Sequence, residues 1–206
     1  MLIDDRHAHT IKRDAKWIGL FVGIIWVVFF IDRVLPLEQF GLVPRTTQGV
    51  FGIFAMPFLH GDLAHIIGNT IPLVTMLILL AGSRANSAQI VLLIALLAGA
   101  ALWLFGREAR HIGASGLVFG LIAFHVFAGV FERRFISIAI SIVVAFFYAG
   151  TLLRGILPTQ TGVSWDGHLL GAAAGTLVAL GVSRTLMKPN SSVEKDSLDD
   201  IFNRRS

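Results

Sequence analysis

One short stretch of the sequence, HIGASG at residues 111–116, combines a nucleophilic side chain with the start of an apolar segment. Small residues leave the hydroxyl of Ser115 uncrowded, and the first N–H groups of a helix have no acceptor within the helix. A nucleophile and donors for a developing oxyanion can therefore coincide here. The same pattern also fits a serine that only caps a helix after a glycine-containing loop.

A serine nucleophile needs a general base, and histidine is the side chain whose unperturbed pKa suits that task at neutral pH. His168 lies at the start of a later apolar segment and is the best candidate base. His111 precedes the serine in a loop, and we expect it to be too exposed for a role to be assigned. His125 follows Ser115 on the same predicted helix, about 15 Å further along, and is expected to be a buried packing residue.

No carboxylate stands in an obvious position to orient that base. Asp166 precedes His168 by two residues, and positions i and i+2 of a helix do not face each other. We interpret Asp166 as the N-cap of the last helix, which predicts a serine–histidine dyad rather than a triad.

Acyl transfer also needs hydrogen-bond donors for the developing oxyanion. His65 and Asn69 are four residues apart, hence on one face of a helix, and with the N–H of Ser115 they are the candidate donors. A polar clamp between helices is the alternative interpretation of this pair. His60, just before the helix, is expected to orient His65 or to line a water entrance.

The sequence offers little support for metal or thiol chemistry. It contains no cysteine, which excludes disulfides, thiol catalysis and cysteine-based metal sites. A histidine-based metal site is the competing chemistry, but the chain lacks an H-E-x-x-H motif and has no carboxylate at ligand spacing from these histidines. We predict neither a metal nor a cofactor.

The elements that must position these residues are strongly apolar. Of the 206 residues, 55% are hydrophobic and 15% are charged, and the mean hydropathy is +0.76. A single soluble core cannot bury that much apolar surface, so the composition predicts a one-domain, all-α integral membrane protein. The net charge of +4 is not arranged as a basic stripe with interleaved aromatic residues, and nucleic-acid binding is not expected.

Six apolar segments have lengths close to the roughly 20 residues that span a bilayer. They cover residues 17–35, 63–81, 87–105, 115–131, 135–153 and 165–187. The first has no signal-peptide cleavage site after it and is expected to be retained. An apolar loop over residues 36–59 is expected to lie partly in the lipid interface. Residues 17–187 thus form the predicted membrane domain, between polar tails at residues 1–16 and 188–206.

The distribution of basic residues predicts the orientation of this bundle. Of the 17 lysines and arginines, twelve fall on the side of the two termini and five on the other side, so both termini are predicted to be cytoplasmic. The second, fourth and sixth segments then begin at the outer face. Their first one or two turns carry His65, Asn69, Ser115 and His168 at similar depth. Polar residues within spans usually face the bundle interior, which predicts one shared site.

Small residues predict a close contact between the fourth and sixth segments. Gly116 and Gly120 are four residues apart, as are Gly167, Gly171 and Gly175 in sequence order. Such glycine faces let two helix backbones approach closely in lipid. This contact would bring the serine and the candidate base together.

Taken together, these motifs resemble those of the rhomboid intramembrane serine proteases. The matching features are GASG around Ser115, the H-x-x-x-N pattern of His65 and Asn69, Trp165 with His168 and Gly171, and FLHG at residues 58–61. The similarity extends over essentially the whole chain, including six helices and a long first external loop.

The resemblance implies an endopeptidase in which Ser115 is the nucleophile and His168 the general base. It implies oxyanion support from His65, Asn69 and the N–H of Ser115, with Gly113 keeping backbone donors accessible, and it implies no metal or cofactor. The substrates would be transmembrane segments of other proteins, cut within the lipid bilayer near its outer face. The fifth helix and the loop over residues 154–164 would form a gate and cap, and a prokaryotic plasma membrane is the expected location.

Two features depart from the family pattern. Phe119 stands where many members have a tyrosine, so it can stack on the catalytic histidine but cannot donate a hydrogen bond. The first loop lacks the Trp-Arg pair of many members, and residues 52–57 occupy that region.

Two other classes of protein are alternatives to a protease. A non-catalytic rhomboid-like protein would bind transmembrane segments without cutting them, but it would not need the full polar set. A small transporter or channel would require charges or broken helices at mid-depth. Pro72 is the main feature of that kind, and a kink in the second helix accounts for it.

Overall fold

The computed structural model describes residues 5–159 and 162–186, and within these ranges the chain is helical, without a β-sheet. Two 3₁₀ turns, Leu37–Phe40 and Met56–Phe58, flank α2 in the first loop. The helices are α1 (Asp5–Asp32), α2 (Thr47–Ala55), α3 (Leu63–Ser83), α4 (Ser87–Phe105), α5 (Ser115–Glu132), α6 (Phe135–Gly155) and α7 (Trp165–Leu186).

Five of the described helices are long and apolar enough to cross a membrane. They are the Arg13–Asp32 part of α1 together with α3, α4, α5 and α6. The prediction of an all-helical, multi-pass membrane protein is thus confirmed. α7 has 22 residues, but charged residues stand in both of its end turns, Asp166 in the first and Arg184 in the last.

The helix boundaries differ from the predicted ones mainly at the N-terminal end. α3 to α7 begin and end within two residues of the predicted segments. α1 instead begins at Asp5, so the predicted polar tail is largely helical. It ends at Asp32, before the predicted 35, because the Asp32 carboxylate accepts hydrogen bonds from the N–H groups of Leu37 (2.6 Å) and Glu38 (3.1 Å) and so starts the following turn. The predicted tail at 188–206 lies outside the described residues.

α5 is the central helix of the bundle. It contacts α3, α4, α6 and α7. In its most apolar 18-residue stretch 67% of the residues are buried, against 11% in that of α6. His125, near its middle, is buried, and its Nε2 pairs with the carbonyl of Met76 at 3.1 Å. The prediction that His125 is a buried packing residue is therefore confirmed.

Glycines make the contact between α5 and α7 very close, as predicted. A Cβ added to Gly116 would lie 3.3 Å from the carbonyl oxygen of Gly167, and one added to Gly120 would lie 3.0 Å from that of Gly171. A Cβ on Gly171 or Gly175 would in turn meet the carbonyl of Gly116 or Gly120. These contacts involve backbone atoms on both helices, so neither side can yield by changing a rotamer.

Gly175→Ala is therefore expected to lower the free energy of unfolding by about 2 kcal/mol, the usual cost of overpacking a tight contact. Gly181→Ala on the same helix is the matched control, since an added Cβ there meets nothing within 4 Å. It should be neutral or slightly stabilising through its better helix propensity. Denaturant unfolding of the two purified variants in detergent tests this, and equal stabilities would contradict the packing argument.

The first loop presents apolar side chains outward while it packs on the bundle. Leu42 and Met56 are buried, whereas Phe51 and Phe54 are 72% and 62% exposed. A long apolar loop with such a surface is suited to the lipid interface, as expected for residues 36–59.

Arg45 and Trp103 anchor this loop to α4. The guanidinium of Arg45 donates to the carbonyl of Gly106 at 2.6 Å, and its N–H donates to the carbonyl of Trp103 at 3.0 Å. The indole of Trp103 donates to the carbonyl of Thr46 at 2.9 Å. Arg45 of the loop and Trp103 of α4 thus hold this loop in place, although it lacks the Trp-Arg pair of many family members.

Candidate active site

Ser115 is the first residue of α5 and is half-buried. Gly113, two residues earlier, has φ +109°, a left-handed conformation that glycine adopts without strain. Its N–H donates to the carbonyl of Met56 at 2.9 Å, which ties this turn to the first loop. Ser115 therefore follows a fixed sharp turn, with its N–H among the unpaired donors of a helix start.

The side chains of His65 and Asn69 reach this turn from α3. A Cβ added to Gly113 would lie 2.6 Å from Nε2 of His65 and 3.6 Å from Nδ2 of Asn69. Asn69 is buried, and its amide also donates to the carbonyl of His65 at 3.1 Å. The structure thus brings the three predicted oxyanion donors to one turn, where only a glycine leaves them room.

His168 lies beside the same turn, on the first part of α7. Its ring is buried and stacks on Phe119, one helical turn after Ser115, with 4.0 Å between ring centroids and 9° between ring planes. Phe119 can therefore fill the stacking position of the family's tyrosine. Nδ1 of His168 pairs with the carbonyl oxygen of Gly155 at 2.9 Å.

This hydrogen bond defines the protonation state of the neutral imidazole. A carbonyl oxygen can only accept, so Nδ1 of His168 carries the proton and Nε2 keeps a free lone pair. That is the tautomer that a general base for Ser115 requires. Among the described side chains no hydrogen bond joins Ser115 to His168, and such bonds often tighten only when substrate is bound.

His60 binds the backbone of the turn that precedes Ser115. It is fully buried, and its Nε2 accepts a hydrogen bond from the N–H of Ala114 at 3.4 Å. Its ring lies 5.0 Å from that of His65. Burial, reinforced by the neighbouring His65, lowers the pKa of His60 to about 4. A neutral His60 therefore holds the residue before Ser115 and touches His65, the neighbour it was predicted to orient.

The low pKa of His60 predicts a loss of stability in acid. The unfolded chain takes up a proton at this residue below its ordinary pKa of 6.5, whereas the folded protein does so only near pH 4. The free energy of unfolding is therefore unaffected by protonation of this residue above pH 6.5 and falls as the pH drops toward 4. The loss is about 2 kcal/mol after allowance for the partial solvation of the ring. Unfolding curves of the wild type and His60→Gln between pH 4 and 7 should therefore converge on acidification, and parallel curves would contradict the assignment.

A second polar network holds the start of α7 in place. The Asp166 carboxylate accepts from the N–H and from Nε of Arg107, at 2.9 and 3.2 Å. The Ser164 hydroxyl donates to Asp166 at 3.2 Å and lies 2.7 Å from Nδ1 of His111. This network fixes the helix start from which His168 projects.

Two predictions are wrong at this network. Asp166 lies within the first turn of α7 and binds Arg107 instead of capping its own helix, although its lack of contact with the base agrees with a dyad. His111 is 2% exposed instead of solvent-accessible, because its backbone pairs with Leu42 and its ring packs against Ser164.

Three residues at the site were not predicted from the sequence: Arg107, Ser164 and the carbonyl of Gly155. Arg107 is separated from Asp166 by 59 positions, and a backbone carbonyl has no sequence signature at all. Only the charge of Arg107, in a short loop before the serine motif, gave a weak signal.

Comparison with known proteins agrees with these features. The sequence matches the Rhomboid domain family over residues 47–185. An uncharacterized protein of Mycobacterium tuberculosis is 39% identical over 188 residues, covering 82% of this chain and 78% of that protein. A relative of the same description in Mycobacterium bovis shows the same identity and coverage. One in Mycobacterium leprae is 37% identical over 172 residues, covering 77% of this chain and 67% of that protein.

The family match covers more than half of the chain, and it includes Ser115 with the turn before it, His65 and Asn69 on α3, and His168 on α7. The relatives extend the similarity over most of the sequence. On this basis the chain is a member of the rhomboid family.

Proposed function

We propose that this protein is an intramembrane serine endopeptidase that works through a Ser115–His168 dyad. The observation that carries the proposal is the turn at Gly113, where side chains of α3 meet the start of α5 near a histidine whose Nδ1 contacts a carbonyl oxygen. For a neutral imidazole, that contact leaves Nε2 free to take a proton. A non-catalytic protein would have no need for that tautomer at that place.

In this mechanism, Oγ of Ser115 attacks the scissile carbonyl while Nε2 of His168 takes the hydroxyl proton. The oxyanion accepts hydrogen bonds from the N–H of Ser115 and from the side chains of His65 and Asn69. His168 then gives its proton to the leaving amine, which leaves an acyl-enzyme. Water, deprotonated by His168, hydrolyses the ester and restores the serine.

The proposed substrates are transmembrane segments of other membrane proteins. In the proposed arrangement α7 is the sixth span and both termini are cytoplasmic, so the dyad lies near the outer face of a prokaryotic plasma membrane. A continuous helix keeps its carbonyls hydrogen-bonded, so substrates with helix-breaking residues should be cut preferentially. α6 is the least buried of the candidate spans, with 11% of its most apolar 18-residue stretch buried. We propose that substrates reach the site from the side of α6.

A fluorophosphonate probe tests the proposal in the purified protein in detergent. The probe should form a covalent bond with Oγ, and peptide mapping should find it on Ser115. Reconstituted with a transmembrane substrate that carries a glycine–proline segment near its outer end, the protein should release two fragments. Binding of that substrate with neither labelling nor cleavage would favour a non-catalytic rhomboid-like protein instead.

A further inference from the structure

The C-terminal end of α6 touches the candidate base directly. The carbonyl oxygen of Gly155, in the last turn of α6, accepts the hydrogen bond from Nδ1 of His168 at 2.9 Å. The last carbonyls of a helix have no intrahelical donor, so this oxygen is available to a side chain. Phe119 covers the face of the same ring. The imidazole is thus held on its face by α5 and at its edge by α6.

No carboxylate takes this role within the described part of the chain. The nearest acidic residue in sequence, Asp166, is occupied by Arg107 and Ser164. In a serine–histidine–aspartate triad the carboxylate holds the imidazole in the tautomer with a free Nε2. The main-chain oxygen of Gly155 has the same geometric relation to His168.

The contact between the end of α6 and the two rings leaves no room for a side chain at position 155. A Cβ added to Gly155 would lie 2.5 Å from Cε1 of Phe119 and 3.1 Å from Nδ1 of His168. Only a glycine allows the end of α6 to come this close to both rings. The rest of α6 packs on α5 and makes few contacts with α7, so the docking of its end depends on a small number of groups.

We propose that the carbonyl of Gly155 is the third member of the catalytic arrangement and that His168 is a competent base only while the end of α6 is docked. This inference rests on the proposed function. When α6 moves away, Nδ1 loses its acceptor, and the proton can occupy either ring nitrogen. Substrate access past α6 and activation of the serine are thereby coupled, because the base is restored only when the helix end returns.

Gly155→Ala tests this coupling, with Gly150→Ala as the matched control on the same helix. The added methyl at Gly155 should push the helix end away and lower kcat, and the rate of fluorophosphonate labelling at Ser115, by about 100-fold, the usual contribution of a positioned base. KM should change less than kcat, because His65, Asn69 and the N–H of Ser115 lie outside α6 and stay in place. At Gly150 a Cβ meets nothing within 4 Å, so both rates should equal those of the wild type.

The tautomer can be measured directly, without reference to activity. In protein labelled with ¹⁵N-histidine at pH 8, the signals of His168 are assigned by their loss in His168→Gln. The wild type should show a protonated Nδ1 and a bare Nε2, and Gly155→Ala should show a mixture. A wild type protonated at Nε2, or a Gly155→Ala variant with the wild-type tautomer and rate, would overturn the proposal. If Ser115 is never labelled but the tautomer is as expected, the proposed function fails and the positioning contact stands.

A second variant separates displacement of α6 from general damage. Phe119→Leu shortens the side chain that an alanine at position 155 would meet, while the leucine still covers the face of the His168 ring. Gly155→Ala combined with Phe119→Leu should therefore regain part of the Nδ1–H tautomer. The combined variant should also label faster than Gly155→Ala alone. If Gly155→Ala does not fold, the combined variant takes its place in both measurements, and a wild type protonated at Nε2 still overturns the proposal.

Discussion

Ser115→Ala is expected to abolish fluorophosphonate labelling and to lower the rate of transmembrane substrate cleavage by about 10⁴-fold or more, as removal of a serine nucleophile does in other serine proteases. The methyl group of alanine fits the same half-buried position, so folding should be unaffected. Because the proposed dyad would act as a unit, His168→Ala should lower the cleavage rate about as much, and the double variant little more.

Ser83→Ala is the matched control for this substitution. Ser83 is the last residue of α3, and its hydroxyl donates to the carbonyl of Leu79 in its own helix at 2.8 Å. Labelling and cleavage should equal those of the wild type. Wild-type labelling of Ser115→Ala would exclude Ser115 as the nucleophile and with it the proposed mechanism.

Glu132→Ala is expected to lower the free energy of unfolding by about 3–5 kcal/mol, the typical cost of leaving one member of a buried ion pair alone. Glu132 and Arg84 are 0% and 8% exposed, and their closest charged atoms are 2.6 Å apart. The carboxylate also accepts from the hydroxyl of Ser137 at 2.6 Å. This cluster joins the ends of α3 and α5 to the start of α6, so its loss should loosen all three.

Two comparisons show whether the effect comes from burial. Glu108→Ala removes a glutamate that is 90% exposed and 3.7 Å from Arg45, and it should change stability by less than about 1 kcal/mol. Arg84→Met combined with Glu132→Leu replaces both charges by apolar groups and should recover most of the lost stability. A Glu132→Ala variant as stable as Glu108→Ala would mean that the pair is solvated rather than buried.

Much of the architecture could be predicted because it depends on local properties of the chain. The boundaries of α3 to α7 follow from the length of each apolar segment, and the contact of α5 with α7 follows from glycines spaced four apart. The first helix was misjudged at its beginning, since charged residues such as those before Trp17 are compatible with both a tail and a helix.

The membership of the candidate site was also largely predictable. Ser115, His65, Asn69 and His168 are polar residues in otherwise apolar helices, and they stand out because such residues are costly in a bilayer. Their shared depth in the membrane is a prediction from the order of the helices. What they do in catalysis stays a prediction until labelling and cleavage are measured.

Other features depended on contacts between residues far apart in sequence. Burial of His111 requires the backbone pairing with Leu42 and the contact with Ser164. Asp166 binds Arg107, from which it is separated in sequence by two helices. Sequence spacing within one helix has no information about such distances.

The sequence by itself thus determined which side chains could do chemistry and which helices carry them, because apolar length and residue type are local properties. Only the tertiary structure decided how the imidazole of His168 is held. A backbone carbonyl has the same chemistry at every position, and the oxygen of Gly155 became the acceptor for His168 only because the end of α6 packs against Phe119 and that ring.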